Sequence, residues 1–344
     1  MDKSPFIWDK YSDQPYIITD KKFKKQQKQK YLLEYVYMSV LFFFIFPIAF
    51  IWQFFMSYPK SRMQVGIGVN LDKGSIQHEL VEELGVKHLL IRAPLWDVDK
   101  IDDYVSFAKG FGSDKNIMIN ILQDRKHIEN LDLLRVNLKI IFQNFQSISS
   151  EFQIGNATNR TKWGFFAVSE YLNFYEVAES VRGEFFPDIK LIGPSVIDFE
   201  YYYTSFNLFN FRNIRFDSLS SLLYVDRRGS PNKKQYGFNL RNKINLLASL
   251  VSLSSKTDNK IYITETNWPL KGTSPYAPTS DKECVNEEKY MEFMVDYLNI
   301  AKKTKKIDRV YWHQLIAPGY GLVDNRNNRI RKTPAFYKFK EFFN

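Results

Sequence analysis

Short apolar runs alternate with polar loops and amphipathic stretches from residue 63 to the end of the chain. An apolar run of this length suits one buried strand and an amphipathic stretch suits one helix, a pattern typical of a parallel sheet with helical crossovers. Eight such repeats within residues 63–344 predict a closed (β/α)8 TIM barrel rather than an open sheet. The predicted strands are residues 65–70, 88–95, 116–124, 152–157, 189–196, 221–226, 260–268 and 309–316.

The N-terminal part of the chain follows a different pattern. Residues 35–56 include no charged side chain, and a helix of that length covers a hydrocarbon core of about 30 Å. The segment KKFKKQQKQK at 21–30 carries six lysines before it, whereas only Lys60 and Arg62 follow it directly. The positive-inside rule then predicts a single-pass membrane protein, with residues 1–34 as a cytoplasmic basic tail and the barrel exported to the periplasmic or extracellular side.

Composition changes this picture little. Half of the net charge of +10 lies in residues 1–62, which hold ten Lys/Arg against five Asp/Glu. The other half is spread over the rest of the chain. No basic stripe of the kind that binds a phosphate backbone is left, so we expect no nucleic-acid partner. The single Cys284 and four histidines without paired spacing predict no metal site, and the absence of a glycine-rich phosphate motif predicts no nucleotide cofactor.

Candidate chemistry lies at the carboxyl ends of the predicted strands, where TIM barrels place their active sites. Glu265 is the strongest candidate, because it follows the apolar run of the seventh strand in YITETNW. Other polar or aromatic residues at the strand ends are Arg92, Asn156, Tyr224 and Trp312, on the second, fourth, sixth and eighth strands.

These residues together resemble clan A of the retaining glycoside hydrolases over about residues 64–344. The matching segments are IRAPLW, QIGNATNRTKWG, LLYVDRRG, ITETNW and VYWHQL. The resemblance implies that Glu265 is the catalytic nucleophile and that Tyr224 orients it. It further implies that Asn156 binds the 2-hydroxyl group of the sugar and that Arg92 keeps the nucleophile ionised.

One departure from the clan pattern leaves the activity open. The clan places its acid/base Glu directly after the Asn of the fourth strand, where this chain has Ala157. Loss of a general acid typically costs about 10²–10⁴-fold when the leaving group is poor. Three alternatives follow: another carboxyl such as Asp226 acts as the acid, the protein is a retaining glycosyltransferase that uses an activated sugar donor, or the barrel is a noncatalytic glycan-binding pseudoenzyme in polysaccharide assembly.

Further residues near the strand ends are candidates for substrate binding. Aromatic rings in the loops can stack on sugars, polar side chains can bind their hydroxyl groups, and cations can stabilise an anionic leaving group. These candidates are Trp163, Trp268, Asp124 and Arg227, in addition to Arg92, Asn156 and Trp312. The sequence therefore predicts a membrane-anchored carbohydrate-active protein whose partner is a cell-envelope polysaccharide or glycolipid.

Overall fold

The computed structural model describes residues 7–343, except for the side chains of Arg227 and Asn328. Eight parallel strands, β3 to β10, close into a barrel in which each strand pairs with its neighbours in chain order and β10 pairs with β3. The prediction of a TIM barrel is confirmed. The barrel strands are β3 (Gln64–Val69), β4 (His88–Pro94), β5 (Asn116–Leu122), β6 (Glu151–Ile154), β7 (Lys190–Ile197), β8 (Ser218–Leu222), β9 (Ile261–Thr266) and β10 (Arg309–Trp312).

Helices surround the barrel on its outer side. The regular helices are α1 (Lys21–Lys30), α2 (Leu32–Trp52), α3 (Ile76–Leu84), α4 (Ile101–Lys109), α5 (Arg125–Glu129), α6 (Leu131–Phe145), α7 (Val168–Phe185), α8 (Tyr201–Leu208), α9 (Leu240–Leu253), α10 (Glu287–Thr304) and α11 (Pro334–Lys340). Their apolar faces and the outward side chains of the strands form one large buried cluster. A separate interior layer at the amino end of the barrel consists of Leu90, Met118, Ile192, Tyr262 and Tyr311.

Two short antiparallel pairs lie outside the barrel. The strands β1 (Trp8–Asp9) and β2 (Gln14–Pro15) form a hairpin near the N-terminus, and β11 (Val323–Asp324) pairs with β12 (Arg331–Lys332) before the last helix. The N-terminal hairpin enters the carboxyl end of the barrel, which we call the mouth, and its residue Asp13 is buried there. The sequence did not indicate this contact, because residues 7–20 carry no periodic apolar pattern.

The apolar helix α2 spans Leu32–Trp52, so it begins three residues before the predicted segment 35–56 and ends four residues before that segment does. It is long and apolar enough to cross a membrane. One of its faces packs against α8 and α9. Ser249 donates a hydrogen bond of 2.6 Å to the carbonyl oxygen of Ala49, and Trp52 donates one of 3.1 Å to Ser252.

The opposite face of α2 is open to solvent and apolar. Its most exposed side chains include Leu33 at 85%, Phe43 at 71% and Phe44 at 63% of their possible area. On the face that packs against the barrel, near the N-terminal end of α2, the Tyr35 hydroxyl donates to the carbonyl oxygen of Phe166 at 2.6 Å. Both ends of α2 therefore contact the barrel domain, while a continuous apolar stripe faces outward. A stripe of this kind marks a surface for a membrane or a partner protein.

Candidate active site

A shift in strand register accompanies the turn of the Glu265 side chain into the mouth. In β9, Ile261 and Ile263 face the helix layer, whereas Tyr262 faces the barrel interior. Strict alternation would place Glu265 on the same side as the two isoleucines. The pairing of β9 with β10 shifts by one residue between Ile263 and Thr266, and one extra residue reverses the direction of the side chains that follow.

Glu265 is only 8% exposed as a whole residue, and its carboxylate accepts hydrogen bonds from three donors. Arg92, from β4, donates to Oε2 at 2.8 Å and forms a buried ion pair. Tyr224, which follows β8, donates its hydroxyl proton to Oε1 at 2.6 Å, and Asn156, which follows β6, donates to Oε2 at 3.5 Å. Arg92, Tyr224 and Asn156, which the sequence predicted at strand ends, therefore all contact Glu265.

These partners decide the ionisation of the site. Burial alone would raise the pKa of Glu265, but the His313 ring, the Arg92 guanidinium and the hydrogen bonds from Tyr224 and Asn156 together lower it to about 2. Burial lowers the pKa of His313 to about 3, so this ring is neutral at pH 7. Arg92 is therefore the cation that holds Glu265 as a carboxylate at neutral pH.

A network of buried amides fixes the orientation of Asn156. Gln153 donates to Asn120 Oδ1 at 3.0 Å, and Asn120 donates to Asn156 Oδ1 at 3.2 Å. Because the Asn156 side-chain oxygen accepts from Asn120, the side-chain nitrogen of Asn156 points toward Glu265. Gln123 also donates to the carbonyl oxygen of Asn156 at 2.8 Å, which holds the backbone after β6 in place.

The N-terminal hairpin covers one side of the cavity above Glu265. The cavity has a volume of about 210 Å³, and Ser12, Asp13 and Gln14 form part of its lining together with Arg92 and Glu265. Its volume is below the roughly 300–1,000 Å³ of ordinary ligand pockets. The hairpin therefore narrows the space directly above Glu265.

The other side of the cavity is rich in cations. Lys162 and Arg228 line the same cavity as Glu265, and the Arg228 guanidinium lies 3.8 Å from the centre of the Tyr224 ring. Burial lowers the pKa of Lys162 to about 8, against the opposing attraction of Glu265. Arg160 also lines the cavity, but it is paired with Asp198 and with Glu200 at 2.6 Å.

The structure places the remaining predicted site residues at different distances from this cavity. Trp163 lines it. Asp226 lies in an adjoining cavity of about 310 Å³ that it shares with Tyr224 and Arg228, and Lys233 lies 3.6 Å from its carboxylate. The side chain of Arg227 is outside the described part of the chain.

Three other predicted site residues make their contacts away from this cavity. Trp268 and Trp312 stack on each other in the helix layer with ring centres 6.0 Å apart, and Trp312 donates to the Tyr290 hydroxyl at 2.7 Å. Asp124 caps the N-terminus of α5 and accepts a hydrogen bond of 2.7 Å from the His127 ring. These three side chains serve packing and capping in this conformation and do not line the cavity of Glu265.

The sequence pattern did not predict several residues of the mouth. His313 and Tyr320 follow β10 and line the cavity, with parallel rings whose centres are 5.4 Å apart. Asp13 comes from the segment before the apolar helix, so no strand pattern points to it. His313 directly follows the predicted Trp312, and its place at a strand end is a signal that could have identified it.

Comparison with solved structures shows the fold. The virulence factor SghA from Agrobacterium tumefaciens superposes with a TM-score of 0.60 at 9% identity, over 83% of this chain and 97% of that one. A GH39 enzyme from Xanthomonas axonopodis pv. citri superposes with a TM-score of 0.58 at 12% identity, over 83% and 67% of the two chains. A monomeric β-xylosidase from Caulobacter crescentus gives 0.58 at 13% identity, over 83% and 69%.

Sequence comparison adds nothing to this result, since no family model and no curated protein matches the chain. The structural neighbours include glycoside hydrolases of families 39, 30, 10 and 2. At these identities the likeness establishes the (β/α)8-barrel fold and leaves the activity to the residues of the site.

Proposed function

We propose that this protein is a membrane-associated carbohydrate-active enzyme of the retaining type, acting on a cell-envelope polysaccharide or glycolipid with Glu265 as its nucleophile. The observation that carries the proposal is the buried Glu265 carboxylate, held ionised by Arg92 and oriented by Tyr224. A carboxylate with one oxygen bound to a cation and the other to a hydroxyl is fixed in direction. Such a group can attack an anomeric carbon from one face.

A retaining enzyme also needs a general acid/base beside its nucleophile. Ala157 is buried in a cluster with Trp163 and Tyr224, beside the residue that orients Glu265. We propose that Ala157 stands where clan A enzymes place their acid/base Glu. Lys162 and Asp226 are the two candidates to replace it, and Lys162 shares the cavity with Glu265.

Lys162 leads to a pH prediction. A lysine whose pKa is about 8 is largely protonated at pH 7 and can give its proton to, or place its charge beside, a leaving oxygen. Since only the protonated form can do this, kcat/KM on a glycoside should fall as the pH rises through about 8. Lys162→Met should lower activity by about 10²–10⁴-fold and remove this alkaline limb.

The control for this prediction is Lys126→Met, which removes a lysine from the exposed surface of α5. It should leave the pH profile unchanged. An alkaline limb that persists in Lys162→Met would exclude Lys162 as the general acid.

The experiment that tests the proposed function is covalent trapping. The full-length protein in detergent is incubated with a panel of 2-fluoro glycosyl fluorides and examined by intact mass spectrometry. Fluoride leaves without a proton, so a missing acid does not prevent formation of a glycosyl-enzyme. We expect a mass increase of one sugar that localises to the peptide containing Glu265.

Leaving-group dependence follows from the same argument. In the Lys162→Met variant, glycosides with a dinitrophenyl leaving group should react without help, whereas simple alkyl glycosides should lose up to the roughly 10²–10⁴-fold that a general acid supplies. Similar rates with both leaving groups would show that an efficient acid is present. Binding of glycans without any adduct would instead favour the noncatalytic glycan-binding protein.

A retaining glycosyltransferase is the second candidate, favoured by the cations of the mouth. Lys162 and Arg228 line the cavity beside Glu265, and the buried Arg228 Nη1 has no hydrogen-bond partner among the described residues. Positive charge of this kind stabilises a departing phosphate or nucleotide, which needs no proton. Adduct formation from glycosyl phosphates, in preference to aryl glycosides, would support this candidate.

We further propose that the exposed apolar face of α2 attaches the protein to the membrane. The predicted orientation, with a cytoplasmic N-terminus and an exported barrel, requires α2 to cross the bilayer and residues 7–16 to lie on the opposite side from the mouth. In the described conformation the same residues contact Arg92 and Tyr320 in the mouth. The predicted orientation therefore requires release of both the hairpin and α2 from the barrel, whereas attachment through the exposed face of α2 requires neither.

A further inference from the structure

A carboxylate from the N-terminal hairpin occupies a set of converging donors beside Glu265. Lys73 lies 3.0 Å from the Asp13 carboxylate, Gln314 donates to it at 2.7 Å, and Tyr320 donates to it at 3.0 Å. Arg92 uses its second nitrogen to donate to the Asp13 carbonyl oxygen at 3.0 Å. The same guanidinium thus joins Asp13 to Glu265.

The barrel holds these donors in place independently of Asp13. Asn70, at the end of β3, donates to the Gln314 side-chain oxygen, which turns the Gln314 amide nitrogen toward Asp13. Gln77 donates to the Asn70 backbone oxygen at 2.7 Å and accepts from its backbone nitrogen at 3.1 Å. The Tyr320 ring lies parallel to the His313 ring. The donors are therefore oriented by the strand ends, whereas the acceptor comes from a distant segment.

The set suits an anionic acceptor, because the Lys73 ammonium group lies beside the Gln314 and Tyr320 donors. With the hairpin in the mouth, Gln314 and Tyr320 are 1% exposed and Arg92 is 5% exposed. The Lys73 side chain is 11% exposed, and its other partner, Asp72, is 61% exposed and well solvated. Buried donors and a buried cation are costly when unpaired, and a carboxylate with two oxygens satisfies them together.

We propose that Lys73, Gln314 and Tyr320 form a carboxylate-binding subsite beside the ion pair of Arg92 and Glu265, and that the substrate is a sugar that carries a carboxylate. Asp13 occupies the subsite in the closed conformation and leaves when the acidic sugar binds. The inference rests on the proposed function, because it places the acidic sugar next to Glu265. It deepens that function by naming the substrate class.

The test measures binding to the full-length protein in detergent by isothermal titration calorimetry. The probes are glucuronate and galacturonate, with glucose and galactose as neutral controls, and N-acetylmuramate as a sugar whose carboxylate is on a lactyl group. Asp13→Asn places an amide donor among the donors and weakens the hold on the hairpin. We expect this variant to bind at least one acidic sugar tenfold or more tightly than the wild type does, and tenfold or more tightly than the neutral sugars.

Two variants of Lys73 separate recognition from folding. In the Asp13→Asn background, Lys73→Met should lower the affinity for the acidic sugar at least tenfold and leave neutral-sugar binding unchanged. Lys73→Arg keeps the charge and should retain the preference. Equal binding of acidic and neutral sugars to Asp13→Asn, or no binding of any acidic sugar, would overturn the proposal.

Failure of this inference can be distinguished from failure of the proposed function. A covalent adduct from a neutral fluoroglycoside, without any preference for acidic sugars, would overturn the subsite and leave the nucleophile established. Binding of an acidic sugar that depends on Lys73, without any adduct, would support the subsite and contradict catalysis by Glu265.

Discussion

Replacing Glu265 by Gln is expected to abolish covalent trapping and to lower kcat by on the order of 10⁴–10⁶-fold on any substrate that the wild type turns over. Gln keeps the size of the side chain but supplies no anionic oxygen to attack the anomeric carbon. Intact mass spectrometry with the fluoroglycoside panel and steady-state kinetics measure the two effects.

The matched control for this variant is Glu151→Gln. Glu151 begins β6 at the opposite end of the barrel and forms an ion pair with Arg309, so its replacement also removes a partly buried ion pair. Thermal unfolding of both variants separates loss of chemistry from loss of fold. Normal turnover by a well-folded Glu265→Gln protein would refute the assignment of the nucleophile.

Replacing Arg92 by Met should have the largest effect on stability. Arg92 and Glu265 have side chains that are 6% and 11% exposed, and removal of one partner of a buried pair leaves the other charge uncompensated. Such a loss costs about 3–5 kcal/mol of unfolding free energy. Denaturant unfolding of the full-length protein at neutral pH measures it.

The same substitution should move the acid limb of the activity profile. Arg92 favours the carboxylate form of Glu265, whose pKa is about 2, so its loss raises that pKa. Activity requires the carboxylate and will therefore be lost at a higher pH than in the wild type. Arg309→Met disrupts the ion pair at the other end of the barrel and should destabilise without shifting this limb.

A double variant tests whether the two charges act as a pair. Glu265→Gln in the Arg92→Met background removes the uncompensated carboxylate, so it should recover part of the lost stability. If the changes in unfolding free energy of the two single variants simply add, the coupling free energy between Arg92 and Glu265 is zero.

The barrel was predictable because the sequence pattern of each strand is local and occurs eight times. An apolar run flanked by polar loops predicts a strand wherever it occurs, and eight runs with helices between them leave few topologies. The predicted strands agree with the observed ones within a few residues. The sixth differs most, since it was placed at 221–226 and lies at Ser218–Leu222, because Tyr224 and Val225 continue the apolar run into the loop.

The candidate site was predictable only in part. Arg92, Asn156, Tyr224 and Glu265 each lie within two residues of the carboxyl end of a strand, and a closed barrel brings these ends together at one mouth. The tryptophans were less predictable, because aromatic side chains pack against helices as readily as they stack on sugars. Trp268 and Trp312 took the packing role, and their indoles meet 6.0 Å apart in the helix layer.

The sequence by itself determined the strands, the helices and the strand-end residues, because these depend on the order of apolar and polar positions along the chain. Only the tertiary structure decided where Glu265 points, since a single-residue shift against β10 reverses the direction that alternation predicts. It also decided the place of Asp13. Contacts between residue 13 and Lys73, Gln314 and Tyr320 join parts of the chain that share no local pattern, and they exist only once the barrel has closed.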